Sequence, residues 1–240
     1  TETLALTIPN KGKLVTAESK HLEILNKRAK NLQTELHPVD GSFIKDSELQ
    51  GFDNPCFKEN VASALKVASL LDITRETALK GMYNTPPDPG ALFFKKIVLN
   101  KKNIFFINAF AANDYISTKK IWDKCRDWYE FEQFDQIPIV GLFNNRRDRN
   151  FRLKELSQLS SDINFSEIFT IGHHNFMSRY YLTTGKSKPK ITAIKNNTPE
   201  RIIMDLLDEV GEECIIFGFG NTKKVGLELA EYFRKNGEDI

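Results

Sequence analysis

From residue 103 onward, short apolar runs alternate with amphipathic stretches. The apolar runs have the length of strands and lie at 103–108, 137–143, 167–171, 190–193 and 214–218. The stretches between them have helical periodicity and lie near 117–130, 149–159, 174–183, 199–209 and 222–235. Strands that are apolar on both faces and alternate with helices are typical of a parallel sheet covered on both sides. Residues 92–240 are therefore predicted to form a doubly wound α/β domain.

The first third of the chain has a different pattern. A short strand at 13–17 and a charged helix at 19–29 precede a polar stretch, 39–53, that is predicted to be a loop. Asn54 and Pro55 are suited to the N-cap and first position of the helix that follows. The apolar face of this helix is predicted to consist of Val61, Ala64, Leu65, Ala68 and Leu71.

A second helix, Glu76 to Met82, leads into the segment YNTPPDPG at 83–90. Three prolines and a glycine within eight residues cannot continue a helix, so this segment is the predicted domain boundary. The chain is accordingly divided into residues 1–88 and residues 89–240.

Composition limits the classes of function. The chain has 240 residues and a formal net charge of +2, which does not indicate a nucleic-acid-binding protein. Its three cysteines, Cys56, Cys125 and Cys214, are far apart, which favours buried reduced thiols over a metal site. No apolar run approaches the roughly 18 residues of a membrane span.

Polar side chains follow four of the predicted strands. Asn113, Arg146 to Arg149, His173 and Asn221 each come after the end of an apolar run. The carboxyl ends of parallel strands share one edge of a sheet, and ligands bind there. Arginine holds carboxylates and phosphates through two parallel hydrogen bonds, so this edge is predicted to bind an anion. A solvated loop with internal ion pairs is the alternative for 146–149. For Asn113 the alternative is a cap of the helix that begins near Ser117.

Several familiar motifs are incomplete. TTGKSK at 183–188 lacks the earlier glycine of a phosphate loop, and Lys223 replaces the third glycine of a dinucleotide fingerprint that begins at Gly218. The Gly218-x-Gly220 pair therefore predicts a close approach to a ligand or to a neighbouring loop. The spacing of His173 and His174 is weak evidence for a metal site.

Six segments, in this order, resemble the ligase subunit of poly-γ-glutamate synthase, a relative of the Mur ligases. They are TIPNKGKLVT at 7–16, NPCFKENVASALKVASLL at 54–71, TALKGMYNTPPDPGAL at 77–92, FINAFAANDYISTKKIW at 106–122, IVGLFNNRRDRNFR at 139–152 and IIFGFGNT at 215–222. The resemblance implies an ATP-dependent amide ligase. It also implies that residues 1–88 are the tail of a central ATPase-type domain and that residues 89–240 are a Rossmann-like C-terminal domain.

The resemblance also implies roles for individual residues. The nucleotide-binding residues are expected to be Asn60, Asn108 and Asn113, although Phe57, Ala91 and Ala112 depart from the pattern of the wider superfamily. The loop after the 137–143 strand is expected to contain the catalytic residues Arg146, Asp148 and Arg149. Substrate binding is expected from Asn145, Arg147 and Asn221. Arginines would hold carboxylates or the γ-phosphate, and Asp148 would accept a hydrogen bond from the attacking amine.

The resemblance further implies ATP and Mg²⁺, with the phosphate loop and the magnesium ligands expected upstream of this chain, which would then be inactive alone. The expected partners are glutamate, poly-γ-glutamate and membrane-embedded synthase subunits at the inner face of the cell membrane. A homo-oligomer is compatible with the sequence. Two alternatives stay open: a ligase for another amino acid, of the Mur or folylpolyglutamate kind, and a non-catalytic scaffold of a synthase complex.

Overall fold

The computed structural model describes residues 1–112, 114–128, 136–147, 151–173, 175–183, 188–196 and 198–239. The chain divides into two compact units, residues 1–86 and residues 87–240. The division falls inside the proline-rich segment where the sequence places the domain boundary.

The first unit consists of short elements around a two-stranded parallel sheet. Its elements are α1 (Glu2–Ala5), β1 (Lys13–Thr16), α2 (Leu22–Asn31), β2 (Glu35–Pro38), α3 (Asp46–Leu49), α4 (Lys58–Leu70) and α5 (Arg75–Tyr83). Strand β2 was not predicted, because Glu-Leu-His-Pro has no apolar run and pairs with β1 through its backbone. A small cluster of Ala5, Ile8 and Leu25 packs α1 against α2.

Two details of α4 differ from the prediction. The helix begins at Lys58 with Phe57 as its N-cap, so Asn54 and Pro55 lie before it. Its buried residues are Val61, Ala62 and Leu65, whereas Ala64 and Leu71 are exposed. The prediction was therefore right for Val61 and Leu65, but it included the exposed residues Ala64 and Leu71 and omitted the buried residue Ala62.

The second unit contains the predicted alternation of strands and helices. Its elements are β3 (Phe94–Leu99), β4 (Lys102–Asn108), α6 (Tyr115–Trp128), β5 (Ile139–Asn145), α7 (Phe151–Leu156), α8 (Leu159–Asp162), β6 (Phe165–Gly172), α9 (Asn175–Leu182), β7 (Lys190–Ala193), α10 (Pro199–Glu209), β8 (Glu213–Phe219), α11 (Val225–Asn236) and β9 (Glu238–Asp239). The predicted helix at 149–159 is two short helices, since residues 157–158 form a turn.

These strands form one sheet in the order β7-β6-β5-β8-β4-β3-β9. The five strands from β7 to β4 are parallel, and β3 and β9 add antiparallel pairings at one edge. The predicted fold class, a mostly parallel doubly wound α/β sheet, is confirmed. Strand β3 was not predicted. It pairs with β4 through a tight turn at Asn100 and Lys101, both of which have left-handed φ values.

Helices cover both faces of this sheet. On one face, α10 and α11 contribute buried residues to the same core as the strands, and the rings of Phe106 and Phe233 stack with centroids 3.8 Å apart. On the other face, Trp122 of α6 meets Phe217 edge to face at 5.2 Å. A strand buried on both faces needs apolar residues at every position, which explains the unbroken runs in the sequence.

Two of the three cysteines are buried in this unit, and burial raises their pKa. Cys125 of α6 and Cys214 of β8 are fully buried, and Cys56 is half-buried. Removal from water disfavours the thiolate, so burial raises the pKa of Cys125 and of Cys214 to about 12.

Both buried thiols should therefore be nearly inert in the folded chain. At pH 8 a thiol with a pKa of about 12 is ionised in roughly one molecule in ten thousand, and the thiolate is the reactive form. Iodoacetamide followed by peptide mass spectrometry should label Cys56 first and the other two only on unfolding. Equal labelling rates for all three in the native chain would contradict this arrangement.

The same pKa shift makes folding sensitive to alkali. The folded state holds the thiol protons up to about pH 12, whereas an unfolded thiol loses its proton near pH 8.5. The contribution of these thiols to the free energy of unfolding is thus intact below about pH 8.5 and declines as the pH rises above it.

Candidate functional site

The candidate site lies where the sheet reverses its winding. After β5 the chain passes through α7 and α8 to β6 on one side, whereas after β8 it passes through α11 to β9 at the opposite edge. Strands β5 and β8 are adjacent and parallel, so their following segments diverge and leave a crevice beyond their carboxyl ends. Such a switch point is the usual ligand position in open α/β sheets.

Asn144, near the end of β5, holds the loop after β8 in place. Its side-chain amide donates to the carbonyl of Asn221 at 2.6 Å and to that of Lys223 at 3.3 Å. The Asn221 side chain in turn accepts from the backbone N–H of Lys223 at 2.8 Å. Asn144 and Asn221 are almost fully buried, so these bonds are shielded from water and fix the loop relative to β5.

Asn145, the last residue of β5, makes the equivalent link to β6. Its side-chain amide donates to the carbonyl of His173 at 3.0 Å, and the backbone N–H of His173 donates back to the carbonyl of Asn145 at 3.1 Å. Two successive asparagines therefore tie β5 to the loops on either side of it. This rigid base carries Arg146 and Arg147 at the start of the following loop.

Two glycines allow the loop after β8 to lie this close. Gly220 has φ +107°, and a Cβ there would lie 2.5 Å from the carbonyl oxygen of Asn144. A Cβ at Gly226, in the first turn of α11, would lie 2.3 Å from the carbonyl oxygen of Asn221. Gly220 therefore lets the backbone after β8 lie close to the end of strand β5, whereas the sequence predicted a ligand or a neighbouring loop there.

The crevice opens into a cavity of about 1090 Å³. Its described lining is Asn144, Asn145, Arg146, Arg147, Gly172, His173, Lys223, Lys224, Val225 and Glu228. Four basic side chains and one carboxylate are thus present, and the amino end of the 12-residue helix α11 lies beside them. Unpaired N–H groups at a helix amino end favour anions, so the helix and the side chains attract the same kind of ligand.

The structure brings together five of the residues that the sequence selects. Asn145, Arg146, Arg147 and His173 line the cavity, and Asn221 is buried in the loop after β8, where its carbonyl accepts a hydrogen bond from Asn144. Asp148, Arg149 and Asn113 lie outside the described residues. Contact of any of these residues with a substrate stays a prediction.

Asn108 is the last residue of β4. It is completely buried, and its side-chain amide donates to the carbonyl of Ala91 at 2.9 Å. Its visible role is to hold the segment that follows the domain boundary, which Arg234 also contacts through the carbonyls of Asp88 and Pro89, each at 3.3 Å. Asn60 is exposed in the first turn of α4. Nucleotide binding by these asparagines stays a prediction.

Sequence reasoning missed Asn144 and the pair Lys223–Lys224. Asn144 stands beside a selected residue, but its bonds reach residues nearly eighty positions away and leave no local signal. Lys223 was interpreted only as the residue that breaks the dinucleotide fingerprint, and Lys224 only as part of the predicted helix at 222–235. The available signal was that the pair lies in the segment after the end of β8, which is the same signal that selected Asn221.

Comparison with known proteins identifies the family. The profile of the poly-gamma-glutamate synthase CapB C-terminal domain matches residues 94–236, which is most of the unit that carries the cavity. The chain belongs to the CapB family. The sequence resemblance to poly-γ-glutamate synthase is thereby confirmed.

Two CapB relatives show how much of such a protein this chain represents. It is 34% identical over 237 residues to PGA synthase CapB of Bacillus subtilis (strain 168), covering 96% of this chain and 58% of the relative. It is 39% identical over 157 residues to the capsule biosynthesis protein CapB of Bacillus anthracis, covering 65% of this chain and 33% of the relative. The chain therefore spans less than two thirds of either CapB protein.

Solved structures with the same fold are amide ligases. A bifunctional folylpolyglutamate synthase/dihydrofolate synthase from Yersinia pestis CO92 aligns with a TM-score of 0.65 at 12% identity, covering 96% of this chain and 55% of that protein. A murein peptide ligase from Psychrobacter arcticus aligns with a TM-score of 0.62 at 11% identity, covering 98% and 53%. At these identities the likeness shows that the CapB fold is shared with Mur-type ligases.

Proposed function

We propose that the natural protein containing this chain is an ATP-dependent ligase that joins glutamate residues through their γ-carboxyl groups. The observation that carries the proposal is the basic cavity at the switch point of a CapB-family sheet. The B. subtilis relative is named a PGA synthase, which supports glutamate as the substrate.

The proposed reaction has two steps. The γ-phosphoryl group of ATP is transferred to a γ-carboxylate, which gives an acyl phosphate and ADP. The amine of a second glutamyl group then attacks the acyl carbon, the carbon–oxygen bond to phosphate breaks, and the amine loses one proton. Negative charge develops on the carbonyl and phosphate oxygens during the attack, so fixed cations nearby stabilise the transition state.

The described residues suit the part of this chemistry that handles anions. Arg146 follows a strand end fixed by Asn144 and Asn145, so its guanidinium is carried on a rigid base. A planar guanidinium binds a carboxylate or phosphate with two parallel hydrogen bonds. We assign Arg146 and Arg147 to the glutamyl carboxylates or the acyl phosphate, and Asn145 and Asn221 to holding the loops that surround them.

ATP and Mg²⁺ are proposed from the family resemblance. The described residues contain no group of three or more His, Cys, Asp or Glu side chains placed to hold a metal ion, so we assign no magnesium ligand to them. Association with membrane-embedded synthase subunits is likewise a proposal. In the part of the chain that the structure describes, no helix is both long and apolar enough to cross a membrane.

The complete natural protein, assayed with its synthase partners, tests the proposal. ADP release should require both ATP and glutamate, and the product should contain γ-linked glutamate by mass spectrometry. ADP release that depends on another amino acid would support the alternative ligase. Normal assembly of the synthase without any ATP turnover by this subunit would support the scaffold instead.

A further inference from the structure

We propose that Pro86 and Pro87 form a stiff joint between the two units and act as positioning residues for the ligase reaction. The part of this proposal that concerns catalysis rests on the proposed function, whereas the stiffness of the joint can be measured without any activity. The proposal is carried by the hydrogen bonds that hold the backbone on both sides of the two prolines.

The chain before the joint is held by the first unit. The hydroxyl of Tyr83, the last residue of α5, donates to the carbonyl of Glu48 at 2.9 Å. Thr85 bonds back to the same helix, because its hydroxyl donates to the carbonyl of Gly81 at 2.8 Å and its backbone N–H to that of Met82 at 3.3 Å. The first unit therefore fixes the backbone up to Thr85.

The chain after the joint forms a tight turn. The Asp88 carboxylate accepts a hydrogen bond from the backbone N–H of Gly90 at 2.7 Å, and the Asp88 carbonyl accepts one from the backbone N–H of Ala91, also at 2.7 Å. An aspartate side chain that bonds the backbone two residues further on fixes a turn locally. Gly90 is buried, so the turn is packed into the second unit.

Two side chains from distant parts of the second unit hold this turn. Asn108, which is completely buried, donates to the carbonyl of Ala91 at 2.9 Å. The guanidinium of Arg234, on α11, donates to the carbonyls of Asp88 and Pro89, each at 3.3 Å. Movement of the turn would break these bonds together, so the second unit fixes the backbone from Asp88 onward.

Pro86 and Pro87 alone connect these two anchored segments. The ring of proline fixes φ at roughly −65°, so rotation is left to the ψ angles of Thr85, Pro86 and Pro87. Thr85 and Pro86 each precede a proline, which restricts their own backbone angles further. Two consecutive prolines span about 6 Å as a semi-rigid spacer. This connection therefore allows far fewer relative orientations than two flexible residues would.

The proposed reaction gives this stiffness a role. The cations that would hold carboxylates or phosphate line a cavity of the second unit, whereas no magnesium ligand is assigned to the described residues. The cavity must then be brought into register with groups carried elsewhere in the protein. A misplacement of about 1 Å can lower a rate about a hundredfold, so a joint that limits unproductive orientations favours turnover.

Spin labels, one in each unit, measure the stiffness in the 240-residue chain. The labels are attached through Lys27→Cys on α2 and Lys235→Cys on α11, both at exposed positions, in a Cys56→Ser background. The two remaining cysteines are buried and stay unlabelled. Double electron–electron resonance then gives the width of the distance distribution between the units.

Substitutions at the joint should widen this distribution. Pro86→Gly/Pro87→Gly is expected to broaden it roughly twofold or more, and Pro86→Ala/Pro87→Ala to a smaller extent, because alanine has fewer accessible backbone angles than glycine. The matched control is Pro9→Gly/Pro138→Gly, which removes one exposed proline from inside each unit. Its distribution should be as narrow as that of the native chain.

ADP release by the complete protein measures the effect on catalysis. The turnover number should fall about tenfold or more in the glycine variant and less in the alanine variant. KM for ATP and the melting temperature should stay unchanged in both. A role in stability alone would lower the melting temperature and would not follow the width of the distance distribution.

Each other outcome has a definite meaning. A native distribution as broad as that of the glycine variant, or a glycine variant as narrow as the native chain, would overturn the proposal and leave the proposed function standing. Broadening without loss of turnover would overturn the positioning role. Absence of ligase activity from the native complete protein would overturn the proposed function, while the distance measurements would still decide whether the joint is stiff.

Discussion

Arg146→Lys in the complete protein is expected to lose most of the ligase activity although the net charge is unchanged. An ammonium group cannot replace the paired donors of a guanidinium on a carboxylate or phosphate. Removing one charge-stabilising donor from a preorganised site typically lowers the rate by about a hundredfold or more. Steady-state kinetics of ADP release at two salt concentrations measure the effect. Arg149→Lys carries the same expectation from the sequence, at a position outside the described residues.

Arg201→Lys is the control for this change. Arg201 is exposed on α10 and does not belong to the described lining of the cavity. Its substitution should leave the kinetics unaltered. Full activity of Arg146→Lys together with strong salt sensitivity would mean that residues 146–149 are a charged surface, the alternative that the sequence leaves open.

Asn144→Leu is expected to destabilise the second unit and to disable the site. Leucine is similar in size but donates no hydrogen bond, so the carbonyls of Asn221 and Lys223 lose their donor beside a buried side chain. Leaving buried polar groups unpaired costs about 1 to 3 kcal/mol each, and a loss of about 2 kcal/mol in the free energy of unfolding is expected. Urea denaturation measures it, and the loop after β8 should bind anions more weakly even in the folded fraction.

The matched control is Asn236→Leu at the end of α11. The amide of Asn236 also donates to a backbone carbonyl, that of Tyr232 at 2.8 Å, but the residue is exposed. Water replaces the lost partner there, so stability should change by less than about 0.5 kcal/mol. If the two variants lose the same free energy of unfolding, then the buried hydrogen bonds between β5 and the loop after β8 contribute no more to stability than an exposed one.

The regular part of the fold could be predicted because its cause is local. Strands β4, β5, β6 and β8 follow the predicted apolar runs closely, since burial on both faces requires apolar residues throughout. Strand β7 also lies where it was predicted, although it is a partly exposed edge strand. Helix α10 likewise begins where the predicted stretch 199–209 begins, because the fixed φ of Pro199 at the first helical position acts within one turn. The predicted cap at Asn54 was wrong, since Pro55 is followed by extended chain up to Phe57.

Elements at the edge of the sheet depended on their partners. Strand β3 has a polar interruption at Lys95 and Lys96, and it becomes a strand because β4 and β9 pair with its backbone. The two residues of β9 carry no signal of their own. The order of the strands was also beyond local reasoning, since β8 enters between β4 and β5 only through contacts distant in sequence.

Part of the candidate site could be predicted from the sequence, and part of it could not. The sequence by itself determined that Asn145, Arg146, Arg147 and Asn221 follow strand ends, because strand ends can be read from where apolar runs stop. Only the tertiary structure decided that β8 lies beside β5, which brings Lys223 and Lys224 opposite the arginines. It also turned Asn144 inward to the β8 loop and buried Asn108 against Ala91. Which polar groups face a ligand and which hold the scaffold depends on long-range packing, and hydrogen bonds between distant residues leave no pattern in the local sequence.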